Sequence, residues 1–265
     1  MRVRWLILNL SIFCLLSACV EVDAPRPTLT ALPPPQVASL TPSATTTVTA
    51  IPDPVTPAAS PTVQAENPDF SLCSPLEDHP LAELPQIISD PYHPPPMGKD
   101  DRHQGVDFSY YRRGERSSIQ GVGVQSVLPG VAAASIQDSY PFGNLVIVET
   151  PGSRLPDWLR ERFGIAEGES LYIFYAHMDQ APEVEPGQAV QECQPLGVVG
   201  KSGNAGVAHL HLEMRIGPSG RLFPVMGYYL ADVTPEEREN YLLWRTSGVF
   251  RHFDPMRLLA AEPQP

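Results

Sequence analysis

Residues 208–213 read Ala-His-Leu-His-Leu-Glu. Two histidines two positions apart point the same way on a strand, where side chains alternate with period 2. On a helix they would diverge by roughly 200°. Leu210, Leu212, Met214 and Ile216 occupy the alternate positions, so the pattern predicts a half-buried strand with one apolar face and His209, His211 and Glu213 on the other. A sheet face with two imidazoles is a candidate metal site. A second candidate is His103-Gln104-Gly105-Val106-Asp107. A spacing of four puts His103 and Asp107 on one face of either a helix or a strand; Gly105 and Val106 favour the strand, and Gly105 leaves room for a close approach. Imidazole and carboxylate suit zinc, which in catalytic sites keeps three protein ligands and an open position. His103, Asp107 and one of His209 and His211 would supply those three. His177, at the end of the apolar run Leu171–His177, is either a further site residue or a core histidine bonded to a backbone carbonyl. Glu213 is either an imidazole-orienting carboxylate or a solvated one, and Asp179 and Glu183 read as loop acids.

The elements that must carry these residues read as short strands: Val122–Leu128, Gly130–Ile136, Leu145–Glu149, Leu171–His177, Leu196–Val199 and His209–Ile216. They are rich in Val, Ile, Leu and Tyr and bounded by Gly or Pro. The expected fold is mainly β, a curved or doubled antiparallel sheet of the β-sandwich kind, with one or two inserted helices. One helix runs from Pro156 to Phe163 and stops at Gly164. The other opens at Thr234-Pro235-Glu236-Glu237, with a threonine cap and acids beside the positive helix end, and runs to about Trp244.

Outside this region the chain changes character. Arg2, Arg4 and the apolar run Trp5–Leu16 end in Leu16-Ser17-Ala18-Cys19, which reads as a signal peptide over residues 1–18 with Cys19 as the lipidated first residue of the mature chain. Residues 20–68 hold 11 prolines, 9 threonines and no aromatic residue, so residues 19–68 read as a tether unable to bury enough apolar surface to fold. Residues 69–265 are long enough for one well-filled domain. The formal net charge is −12, a poor match to nucleic acid, which selects clustered Lys and Arg. Cys73 and Cys193 remain outside the leader, and export would allow them to pair. Gly200-Lys201-Ser202 lacks the upstream glycine and following helix of a phosphate loop, and a helical His-Glu-x-x-His motif is absent. His79, His93 and His252 are expected at the surface.

Taken in order, these motifs resemble the lysostaphin-type, or LytM-like, zinc metallopeptidases. The family pattern of histidine-x-glycine-x-aspartate, a strand ending in alanine-histidine, a glycine-rich turn and histidine-leucine-histidine is matched by His103–Asp107, Ala176-His177, Gly197–Gly206 and His209-Leu210-His211. The similarity covers about residues 87–217, with a C-terminal extension over 218–265 in which Phe253-Asp254-Pro255 resembles the family's closing segment. It implies a LytM-like fold, one Zn2+ on His103, Asp107 and His211, and His177 and His209 as the catalytic pair. It further implies a metalloendopeptidase of peptidoglycan peptides, which the leader and Cys19 would place on the extracytoplasmic side, anchored to the membrane by lipid. The chain departs from the pattern at Ala208 and Leu212, and residues 151–170 and 225–251 look inserted. A non-catalytic wall-binding or hydrolase-regulating module and a zinc carboxypeptidase of wall peptides are the alternatives.

Overall fold

The computed structural model describes residues 70–96 and 98–260; the leader, Cys19 and the whole tether lie outside the described residues. A large antiparallel sheet is ordered β1 (Ile88–Asp90), β2 (Val106–Phe108), β9 (Leu210–Pro218), β6 (Glu169–Met178), β5 (Gly143–Pro151), β4 (Gly130–Ser139) and β7 (Ala189–Val190), and β10 (Arg251–Phe253) also pairs with β9. A second, two-stranded sheet joins β3 (Gly123–Gln125) to β8 (Pro195–Val198). The fold is thus mainly antiparallel β, as the spacing of short apolar segments predicts.

Alternation along the central strands sorts side chains into two cores. Leu171, Ile173 and Tyr175 of β6 join Val146 and Val148 of β5 and Leu210, Leu212, Met214 and Ile216 of β9 on one face. Tyr172, Phe174 and Ala176 join Leu145 and Ile147 on the other, against Phe223, Tyr241, Trp244 and Phe250. The sheet is therefore covered on both sides. This corrects the expectation of a half-buried β9: it is buried along both faces up to Gly217, because the insertion after residue 225 lies over its polar side. Burying a Trp or Phe side chain contributes on the order of 1.5–3 kcal/mol, enough to hold this cover in place.

The insertion is built on α2 (Pro235–Arg245), opened by a reciprocal capping box in which Thr234 accepts from the Glu237 N–H and Glu237 accepts from the Thr234 N–H. The earlier insertion forms α1 (Asp157–Phe163), which stops where Gly164 adopts φ 64° and its N–H returns to the carbonyls of Arg160 and Glu161. A last helix, α3 (Met256–Leu259), closes the described chain. The expected strand Val122–Leu128 shortens to β3 for a local reason: the Val127 N–H donates to the Tyr175 hydroxyl at 2.9 Å, and Ser126 Oγ donates to the Leu128 carbonyl. Both divert the backbone from the ladder. Cys73 and Cys193 are bonded, with Cα atoms 5.3 Å apart.

Candidate metal centre

Strand register brings distant residues together. Asp107 on β2 is directly opposite His211 on β9, and Ala176 on β6 is opposite His211 on its other side. His103 precedes β2, and its backbone is held by the His93 N–H donating to the His103 carbonyl at 3.1 Å. Gly105 is required between them. A Cβ there would lie 2.5 Å from the Leu212 carbonyl and 2.9 Å from His211 Cε1, so only glycine lets the ligand loop pass against β9.

Three atoms converge: His103 Nε2, Asp107 Oδ1 and His211 Nδ1, separated by 3.0, 3.0 and 2.8 Å. The other nitrogen of each ring is committed. His103 Nδ1 donates to the Pro91 carbonyl at 3.1 Å, and His211 Nε2 donates to Glu213 Oε1 at 3.1 Å. With those tautomers both imidazole lone pairs aim at the same point as the carboxylate, an arrangement that could hold a metal ion. The titration of the groups reflects the same negative surroundings. Burial pushes the His211 imidazole down, but Asp107 and Glu213 outweigh it and raise it to about 9. Burial likewise opposes ionisation of Asp107, yet the bonds from His103 and His211 hold its carboxyl well below the usual range. A divalent ion would meet this demand with three protein ligands and leave a fourth position open.

His177 and His209 stand over the cluster, their ring centres 4.5 Å apart. His177 Nδ1 donates to the Ser202 carbonyl at 2.8 Å and His209 Nδ1 to the Val207 carbonyl at 2.9 Å, so each ring is oriented by a backbone carbonyl and keeps Nε2 for other work. His209 Nε2 lies 3.6 Å from Asp107 Oδ2. Burial first, then the charges of His211 and His209, pushes His177 down to about 3, which keeps it a neutral proton acceptor. Its backbone sits at φ 63°, a left-handed conformation unusual for a non-glycine residue and typical of functional positions.

Glu213 is fully buried, not a solvated acid. Besides His211 it accepts from Arg215 Nε at 2.9 Å, Arg245 Nη1 at 2.7 Å and Trp244 Nε1 at 2.9 Å. Burial alone would raise its carboxyl, but the two guanidinium charges hold it well below the usual range. Arg215 also donates to Gln104 Oε1 at 2.6 Å and lies 4.8 Å over the Trp244 ring; Arg245 reaches Asp100 Oδ1 at 2.6 Å. Gln104, Arg215, Arg245 and Asp100 escape sequence reasoning. The only available signal was Arg215 continuing the His211, Glu213 alternation. Of the histidines expected at the surface, His93 is exposed, while His79 is buried with Nδ1 donating to the Glu77 carbonyl at 2.7 Å. Asp179 and Glu183 are exposed loop acids, as expected.

Residues 101–221 match the model of Peptidase family M23. No protein of curated function matches the chain. Among solved structures, the catalytic domain of the antimicrobial peptidase lysostaphin from Staphylococcus simulans is 19% identical, covering 69% of this chain and 100% of that one with a TM-score of 0.39. A variant catalytic domain of the prophage-encoded M23 protein EnpA from Enterococcus faecalis is 21% identical, covering 51% and 82%, with a TM-score of 0.35. A zinc-containing peptidase from Vibrio cholerae is 22% identical over 48% of this chain with a TM-score of 0.33, and the match spans 32% of that peptidase. The histidine and aspartate motifs all fall within the segment that matches the M23 model.

Proposed function

We propose that this protein is a zinc metalloendopeptidase that hydrolyses peptide bonds in bacterial peptidoglycan, held outside the cytoplasmic membrane by lipid on Cys19 and a Pro/Thr-rich tether. The observation that carries the reading is the convergence of His103 Nε2, Asp107 Oδ1 and His211 Nδ1 within 2.8–3.0 Å, with both ring tautomers fixed from behind. Zinc in that position supplies Lewis acidity toward a scissile carbonyl and acidifies water. His177 and His209 then divide the proton work: one Nε2 accepts the proton of the attacking water, and the other donates to the oxygen on which negative charge develops. Their Nδ1 bonds to Ser202 and Val207 carbonyls hold the rings so that Nε2 is the working atom. A cell-wall substrate agrees with the family match and with the leader and Pro/Thr-rich segment read from the sequence.

The test is digestion of purified peptidoglycan by the zinc-loaded protein, with fragments identified by mass. Internal cuts in the peptides, lost together with bound zinc in His211→Ala, are the expected result. Release of terminal residues alone would make it a carboxypeptidase. Stoichiometric zinc with no fragments would make it a non-catalytic module.

A further inference from the structure

We propose that Tyr229, in the insertion after residue 225, is a specificity-determining residue: its ring is an apolar wall that receives an uncharged side chain of the substrate peptide beside the bond to be cut. The proposal rests on the peptidase reading and adds to it the residue that selects the substrate. Tyr229 lines the same cavity as His103, Asp107, His177 and His211. Pro141 and Phe142 add apolar surface to that cavity. Its volume of about 350 Å³ is at the small end for ligand pockets, which run about 300–1,000 Å³, so one ring makes up a large part of the wall. The single polar atom of the Tyr229 side chain is already engaged, since its hydroxyl donates to Asp100 Oδ2 at 2.8 Å. What remains for a ligand is ring carbon. A charged side chain placed against it would give up water without gaining a partner; an uncharged one would not.

Tyr229 is both exposed and fixed. It is 56% exposed, so its ring does not fill a core. Its backbone nevertheless sits at φ 70°, a costly conformation for a bulky side chain that persists only where the surroundings impose it. They do so from three directions. The Tyr228 N–H donates to the Tyr140 carbonyl at 2.7 Å, and Asn240 Nδ2 donates to the Val225 carbonyl at 2.9 Å. The Tyr228 ring meets Tyr229 edge-on at 4.7 Å and stacks on Tyr241 at 4.8 Å. Asp100, three residues before His103, is the positioning residue that joins the insertion to the ligand loop. Holding Asp100 does not by itself account for Tyr229, because the Tyr241 hydroxyl donates to the same Oδ2 at 2.5 Å and Arg245 Nε to Oδ1 at 2.6 Å. A ring held this firmly at the cavity, and left uncovered, is a preorganised contact surface.

The experiment compares the zinc-loaded full chain with Tyr229→Gly and Tyr229→Phe on purified peptidoglycan. Glycine adopts a positive φ without cost, so Tyr229→Gly removes the ring while relieving the backbone. It should raise KM by about tenfold or more, the scale of a lost apolar contact in a specificity pocket, with kcat and zinc content nearly unchanged, the signature of lost binding common to ground and transition state. Tyr229→Phe keeps the ring and should stay close to the wild type in KM. Mass analysis of the wild-type fragments should place an uncharged residue on at least one side of the cut. An unchanged KM in Tyr229→Gly, a Tyr229→Phe as impaired as Tyr229→Gly, or charged residues on both sides of the cut would overturn the proposal. If the wild type releases no fragments, the peptidase reading fails separately. Binding to the same peptidoglycan then decides: a dissociation constant raised about tenfold in Tyr229→Gly supports the wall, and an unchanged one overturns it.

Discussion

At the scale of single residues the proposed centre separates holding a cation from moving a proton. His103, Asp107 and His211 converge at 2.8–3.0 Å, while His177 and His209 point Nε2 from rings tied to backbone carbonyls. Removing a proton carrier should therefore leave the metal behind. His177→Ala and His209→Ala are each expected to keep one tightly bound zinc and lose kcat by about 10²–10⁴-fold, the usual weight of general acid–base catalysis; metal analysis beside kinetics checks this, and loss of the zinc would reassign the residue as a ligand. Gly105→Ala is a different kind of lesion. Its Cβ would meet the Leu212 carbonyl and the His211 ring, and neither backbone nor ligand can yield cheaply. The expectation is a drop in both melting temperature and zinc content, measured by calorimetry and metal analysis of the soluble fraction.

Among elements, β9 and α2 form one device. His211, Glu213 and Arg215 line the face of β9 that α2 covers through Trp244 and Arg245. Glu213→Gln keeps the shape but removes the charge between two buried guanidinium groups. Breaking a buried charge network in this way costs about 3–5 kcal/mol, and loss of the carboxylate behind a ligating imidazole costs about 10–100-fold in metal affinity; denaturation curves and zinc titration would show both. On β10, His252 sits beside Arg215 and Tyr92. Burial first, then the Arg215 charge, pushes its ring down to about 4. The unfolded chain, near 6.5, then takes the proton first, so this contribution is full above about pH 6.5 and is lost as pH falls toward 4. The stability gap between wild type and His252→Asn should narrow over that window; a gap constant with pH would contradict the assignment. The strands were legible as short apolar runs bounded by Gly or Pro, and the candidate ligands as two local pairs, His103 with Asp107 and His209 with His211, which spacing alone does not join. The burial of Glu213 was not, since the residues that cover it lie about thirty positions further along and no periodicity says where an insertion will land. Gln104 and Asp100 were invisible for the same reason: their partners are arginines on other elements.

For the molecule as a whole, the crosslink between Cys73 and Cys193 spans a sequence separation of 120. It ties the segment leading into the domain to the turn before β8, where the Cys73 N–H donates to the Val127 carbonyl and the Cys193 N–H to the Ser126 carbonyl. A closed loop of this size restricts the unfolded chain more than the folded one, and removing such a bridge costs about 2–5 kcal/mol. The centre does not depend on it locally, because neither cysteine borders the pocket of His103, His177 and His211. The double variant Cys73→Ser, Cys193→Ser should therefore unfold at lower denaturant with its activity per folded molecule unchanged. A fall in kcat at temperatures where the variant is fully folded would mean that the bridge shapes the cleft through β3 and β8, not merely the stability of the domain. Measuring kcat and the unfolding midpoint on the same preparations distinguishes the two, since a purely entropic crosslink moves only the second.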